Sequence, residues 1–219
     1  MLKETTSFDF IKYLANGNGG DRLPSLQELS AEHGVSISVL REQLQVARAL
    51  GFVEVRPRTG IKRLPYTFAP AVRESLFYAI DRDQAAFASF SDVRRHLERV
   101  YWFEAVQRLT PEDVEHLRSL VNRAQGMLKA EPIRVPHAEH RELHLVIYQH
   151  LQNPFVIGLL EAYWEAYEQV GLSLYTGLEY QLQVWDSHRQ IVEAIAEKDF
   201  VRGHQLLVGH FDLIDKRNE

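Results

Sequence analysis

At 219 residues, 45% hydrophobic and 25% charged, the chain has the make-up of a globular protein with a substantial core, which excludes a disordered or fibrous molecule. It contains no cysteine, which excludes disulfides and thiolate metal sites and fits a reducing compartment. The opening MLKETTSFDF lacks the basic-then-apolar pattern of an export signal, and no apolar run approaches the roughly 18 residues of a membrane span, so a cytoplasmic protein without a membrane partner is expected.

The formal charge of -5 hides an asymmetry. Residues 1 to 66 hold nine Lys and Arg against seven Asp and Glu, a net +2 that leaves -7 for the remainder. Between residues 36 and 63 six basic side chains (Arg41, Arg48, Arg56, Arg58, Lys62, Arg63) face two acidic ones (Glu42, Glu54). Positive charge concentrated in one segment points to a local anionic partner such as nucleic acid.

In chain order, Phe8, Ile11 and Leu14 recur at helical spacing before NGNGGD, whose glycines and asparagines end a short first helix. PSLQEL offers Ser25 with Glu28 three residues on, a capping box, and Leu26 and Leu29 supply the buried stripe of a second helix that stops at Gly34. After HGVS, the stretch ISVLREQLQVARAL sets Leu40, Leu44 and Ala47 on one face and Arg41, Gln45 and Arg48 on the other. Two helices about a tight turn make a helix-turn-helix, whose second helix enters a major groove. FVEV and IKRL then bracket RPRTG as a hairpin, with Arg56, Arg58, Lys62 and Arg63 in or beside the turn.

A basic hairpin directly after a recognition helix is the layout of a winged helix; the alternative is four merely solvated charges. The winged-helix reading makes double-stranded operator DNA the partner. It assigns contacts to Ser36, Ser38, Arg41, Gln45 and Arg48 on the helix and to Arg56, Arg58, Thr59 and Lys62 on the wing.

The stretch LPSLQELSAEHGVSISVLREQLQVARALGFVEVRPRTGIKR resembles the DNA-binding domain of the GntR family of bacterial transcription regulators. Two positions depart from the family pattern: Ile37 and Gln27 stand where members often carry arginine, and Arg41 alone is kept. Arginine is the commonest reader of guanine edges, so the operator sequence does not follow from the resemblance.

From residue 70 onward strand alternation is missing and helices are predicted throughout: AVRESLFYAI after Pro70, DVRRHLERVYWFEAVQRL after Ser91, and PEDVEHLRSLVNRAQGML opened by Thr110 and Pro111. HAEHRELHLVIYQHL, PFVIGLLEAYWEAYEQV, LQVWDSHRQIVEAIAEK and, capped by Asp199, FVRGHQLLVGHFDLIDK complete an antiparallel bundle.

Seven of the ten histidines lie between His137 and His210. His140 and His144, four apart, share a helix face, and an antiparallel return of the last two helices would place His188 beside His210. The pair is not the H-E-x-x-H of a metalloprotease, because Arg141 takes the Glu position and Glu142 lies about 200° round the helix from His140. From the residues alone, ligands and surface histidines both remain open.

The segment from about residue 72 to the end is similar to the FCD ligand-binding domain of the FadR subfamily of GntR regulators. The family's D-x-x-F-H-x-x-L followed by Asn-Pro corresponds to HRELHLVIYQHLQNP, with Asn153 and Pro154 as the downstream pair. His144 matches the ligand histidine, His188 and His210 match two further family histidines, and His140 stands where aspartate is usual. The resemblance therefore implies a divalent metal, zinc or nickel, on His140, His144, His188 and His210. His137, His150 and His204 are expected to stand outside the set. Four neutral imidazoles leave the whole +2 on the ion, which favours an anionic ligand. Arg94 with Glu98, in VRRHLE, matches the family's R-x-x-L-E; Arg94 is the expected effector contact, an organic acid being suited to its planar fork, with a solvated charge as the alternative.

The expected protein is mainly α. A winged helix-turn-helix with a two-stranded wing spans residues 1–66, and an all-helical bundle that binds effector and metal spans 67–219. It acts as a homodimeric transcription regulator. The rivals are a metal-dependent enzyme or a metal-stiffened interaction bundle carrying a winged-helix appendage; no carboxylate is spaced convincingly as a general base for the former.

Overall fold

The computed structural model describes residues 8–17, 20–171 and 177–215. Among them are ten α-helices and one two-stranded antiparallel sheet, in the mainly helical arrangement expected. The chain divides into two compact units, Met1–Glu74 and Ser75–Glu219. Among the described residues no helix is long and apolar enough to cross a membrane.

The first unit opens with α1 (Phe10–Ala15), whose N-cap Asp9 accepts a hydrogen bond from Lys12 N. That cap starts the helix after Phe8, so the buried face is Phe10, Tyr13 and Leu14, while Ile11 is exposed; the expected Phe8–Ile11–Leu14 stripe is corrected accordingly. In α2 (Leu26–His33) Ser25 and Glu28 form both bonds of the capping box, and Gly34 ends the helix at φ 67°. Ser36 Oγ caps α3 (Ile37–Ala49) by accepting from Val39 N. Leu40, Leu44 and Ala47 of α3 lock into a core with Phe10, Leu14, Leu23, Leu29, Val53 and Ile61.

The wing pairs β1 (Val53–Arg56) with β2 (Gly60–Arg63) in the register Val53↔Arg63, Glu54↔Lys62, Val55↔Ile61, Arg56↔Gly60. Because side chains alternate across a strand, Val53 and Ile61 share the inner face, and Glu54, Arg56 and Lys62 share the outer one. Arg58, at the tip, has φ 70°, a left-handed conformation that costs an L-residue about 1–2 kcal/mol.

α4 (Ala69–Arg82) leads to the second unit, where α5 (Ala85–Val106), α6 (Pro111–Leu128), α7 (His137–Tyr148), α8 (Pro154–Gly171), α9 (Leu178–Ala196) and α10 (Phe200–Asp215) follow. Its core is built on Trp102, Leu117, Leu120, Leu143, Ile147, Trp185 and Leu207. Helix α5 begins at Ala85, well before the expected Asp92. Ser91, which suggested a start, is inside the helix: its Oγ donates to Phe87 O four residues back, as Ser89 Oγ does to Ala85 O, which satisfies the hydroxyls without opening the helix. Likewise α9 begins at Leu178 after the N-cap Gly177, four residues ahead of the expected Leu182.

Two features bring distant residues of this unit together. Between α9 and α10 the chain reverses through Lys198 at φ 60°, and Asp199 Oδ1 caps the new helix by accepting from Arg202 N. Gly203 then lets α10 approach α5 closely: a Cβ there would meet Trp102 Cζ2 at 2.7 Å. The indole of Trp102 is fully buried and donates from Nε1 to Phe200 O at 2.8 Å.

Candidate functional site

Four imidazoles meet in the centre of the second unit. His140 and His144 come from successive turns of α7, His188 from α9 and His210 from α10, at similar distances either side of the α9–α10 reversal. All four are buried, and one ring nitrogen from each lies within 4.8 Å of the others. The ring centroids of His188 and His210 are 4.3 Å apart, those of His140 and His188 4.7 Å, and His144 Nε2 stands 3.2 Å from His188 Nε2. The expected quartet is therefore brought together.

The donor set fits a divalent cation. His140 Nε2, His188 Nδ1 and both ring nitrogens of His210 are buried with no hydrogen-bond partner among the described residues. A buried polar atom without a partner costs about 1–3 kcal/mol, and one such nitrogen on each of His140, His188 and His210 calls for a shared partner. Neighbouring nitrogens on one ion at about 2.1 Å stand roughly 3.0 to 3.4 Å apart, so small inward ring movements would bring the four onto a shared ion. Burial, and then the neighbouring cationic forms, push all four imidazoles well below their ordinary pKa of 6.5. They are neutral at pH 7, as metal ligation requires.

Beside the quartet, α5 presents a fully buried ion pair. Arg94 Nε donates to Glu98 Oε1 at 2.8 Å, and the Arg94 Nη2 lies 3.1 Å from His144 Nδ1 and 3.3 Å from Nε2. Glu98 Oε2 is 3.2 Å from His144 Nδ1 but off the line of a hydrogen bond. The guanidinium carbon is 5.1 Å from the rings of Tyr163, Trp164 and Phe211, an aromatic cage that fixes its plane. Tyr148 Oη donates to the Glu98 carbonyl at 2.8 Å and holds α7 against α5. Burial raises the Glu98 carboxyl above the usual range while Arg94 pulls it down; burial opposes the charge on Arg94, yet Glu98 and the nearby tyrosines hold its proton. Arg94 is thus no solvated charge, whereas Arg95 is partly exposed and pairs with Asp92.

The walls went unread in the sequence. Trp164 stacks on His144 at 4.7 Å and meets His140 edge-on at 4.8 Å, Tyr167 meets His140 at 5.7 Å, and Trp185 meets His188 at 5.0 Å. The only signal was the aromatic run AYWEAY, whose Tyr163 and Tyr167 are four apart and share a face. The three histidines set aside do lie elsewhere: His137 is half-buried at the start of α7, His150 pairs with Asp113 at 2.8 Å, and His204 stacks on Phe103.

In the first unit, Ser36, Ser38, Arg41, Gln45, Arg48, Arg56, Arg58, Thr59 and Lys62 are all exposed. Arg48 Nη1 donates to Gln45 Oε1 at 3.1 Å, and Arg56 is bound to Glu54 at 2.9 Å, which offsets part of its charge. Ser36 also has a structural task, because its hydroxyl caps α3.

A winged helix joined to a helical domain with a polar, charged centre defines the class of ligand-responsive DNA-binding regulators. Residues 17–62 match the bacterial regulatory proteins of the gntR family, and residues 90–213, more than half of the chain, match the FCD domain. The chain belongs to the GntR family, FadR type: it is a DNA-binding transcription regulator with an FCD effector-binding domain, and not an enzyme. It is 25% identical over 206 residues to the Uxu operon transcriptional regulator of Escherichia coli, covering 91% of this chain and 79% of that one. It is 22% identical over 201 residues to the Uxu operon regulator of Haemophilus influenzae, covering 88% and 72%. Among solved structures, Streptococcus agalactiae GntR shares the fold at a TM-score of 0.69 and 18% identity, covering 99% of this chain and all of that one.

Proposed function

We propose that the regulator is a homodimer whose helical domain, residues 67–219, binds a zinc or nickel ion and a small carboxylate-bearing effector, and that the effector modulates operator binding by the head, residues 1–66. The observation that carries this reading is the buried quartet, four imidazole nitrogens within 4.8 Å of one another. His140, His144, His188 and His210 hold the ion. A divalent ion that accepts more than four ligands would supply a Lewis-acid centre there for a carboxylate oxygen.

Arg94 stands ready beside the quartet with its plane fixed, and its Nη groups orient the effector through charge-assisted hydrogen bonds. Trp164, Trp185 and Tyr167 exclude water from the same point, which strengthens every charge interaction within it. In the head, Ser36, Ser38, Arg41, Gln45 and Arg48 face the major groove, and Arg56, Arg58, Thr59 and Lys62 follow the backbone beside it. Two copies related by a twofold axis read two half-sites. The effector regulates only if it favours one arrangement of the dimer, DNA-competent or DNA-incompetent, over the other.

Elemental analysis of purified protein and of a His144→Ala, His188→Ala double variant tests the ion: about one equivalent in the former and a loss in the latter are expected. Fluorescence anisotropy with the DNA upstream of its own gene, across salt and a series of small carboxylates, tests the regulation. Specific and random duplexes bound alike with every carboxylate would sink it, and a DNA-binding protein with no carboxylate response would leave the metal as a stiffener only.

A further inference from the structure

The strand that carries Lys62 is paired along both edges. On one side β2 faces β1, with Lys62 opposite Glu54; on the other it meets the chain just before α2, where Arg22 makes a single antiparallel bridge to Lys62. The bonds that flank this bridge run from Leu23 N to Ile61 O at 2.9 Å and from Arg63 N to Asp21 O at 2.8 Å. Arg22 and Lys62 are therefore the non-hydrogen-bonded kind of pair, in which the Cα atoms stand about 4.5 Å apart and both side chains leave the same face.

Two cations are thereby set side by side, and like charges directly opposite each other destabilise a sheet. The head does not pair them off. Both are exposed, and neither side chain makes a hydrogen bond or ion pair among the described residues. The two acids at hand are committed elsewhere: Glu54 Oε2 holds Arg56 Nη2 at 2.9 Å, and Glu28 Oε2 accepts from Ser25 N at 2.7 Å in the capping box of α2.

We infer that Arg22 and Lys62 form one anion clamp at the root of the wing, and that its ligand is a backbone phosphate of duplex DNA. A phosphate between the two side chains turns their repulsion into two charge-assisted contacts. Arg22 lies outside both the helix-turn-helix and the hairpin, so neither motif points to it; such a contact fixes the position of the head on the duplex and reads no base. The inference rests on the wing following the DNA backbone as proposed above.

The test is fluorescence anisotropy of the full-length protein on the DNA upstream of its own gene and on a random duplex of equal length, each across salt. Arg22→Ala should weaken binding to both duplexes by the same factor, about threefold to tenfold, and lower the slope of log affinity against log salt by about one per protomer. Arg22→Lys keeps the charge and should bind within about twofold of the parent, because a phosphate accepts an ammonium as a point charge. Arg22→Glu sets a carboxylate opposite Lys62 and occupies that cation as well, so it should lose at least as much as the Arg22→Ala, Lys62→Ala double variant. An Arg22→Ala variant that binds like the parent, a loss confined to the upstream DNA, an Arg22→Lys variant as weak as the alanine one, or an Arg22→Glu variant no weaker than the alanine one would each overturn the clamp. If Lys62→Ala is then also without effect, the placing of the wing along DNA falls with it; if Lys62→Ala weakens binding, that placing stands and the clamp alone is lost.

Discussion

Acidification is a direct probe of the buried quartet. A base whose pKa is lowered by burial stays neutral in the folded protein and takes a proton when unfolded, so its stabilising contribution is whole above pH 6.5 and is lost as pH falls below it. Between pH 7.5 and 5.5 each such imidazole removes about 1.4 kcal/mol, and four remove about 5 kcal/mol. Glu98 acts the other way. Its raised pKa lets the folded protein take a proton before the unfolded one, which offsets part of that loss. Against a usual domain stability of about 5–15 kcal/mol this is a large share. All three tryptophans, Trp102, Trp164 and Trp185, lie in the second unit, so urea unfolding followed by tryptophan fluorescence in excess chelator reports on that unit. His188→Gln should reduce the pH dependence by about a quarter. A metal-free stability that changes by less than about 1 kcal/mol over this range would refute the reasoning, because the imidazoles would then be titrating alike in both states.

Three other outcomes are expected. His140→Asp places a negative charge beside the ion, and carboxylate affinity measured by calorimetry on zinc-loaded protein should fall about tenfold or more; equal affinities would show that site charge does not govern the effector. Gly203→Ala drives a methyl group into the buried ring of Trp102, so the second unit should lose about 1–3 kcal/mol in urea unfolding while zinc stoichiometry is retained. Arg41→Ala should weaken binding to every duplex and reduce the slope of log affinity against log salt by about one if Arg41 neutralises a phosphate, whereas a base contact would leave the slope and blunt the preference for operator.

Legibility of the sequence followed the range of the interactions concerned. Local rules carried α2, α3 and α6 because each has its own cap within three residues: Ser25 with Glu28, Ser36 to Val39, and Thr110 with Asp113. The wing was equally local, a Pro and Gly turn between β-branched pairs. Ser91 reads as a break, yet Phe87 and Phe90 pack against Leu76, Ile80 and Ala166 and α5 runs through it; α9 begins directly after Gly177, ahead of the apolar pattern that marks it in the sequence. At the site, the His140–His144 spacing was visible and its meeting with His188 and His210 was anticipated only from the order of helices and a family likeness. Glu98 appeared as part of a motif, yet its position between Arg94 and His144 depends on the crossing of α5 and α7, which no periodicity encodes. The same holds for Trp164, whose ring reaches the quartet from α8.

The buried couple on α5 also constrains how this lineage can change. Removing either Arg94 or Glu98 alone strands a charge in the core at about 3–5 kcal/mol, whereas exchanging both for neutral groups of similar bulk is close to free. For folding, the two positions are therefore coupled, each single exchange costing more than the double one.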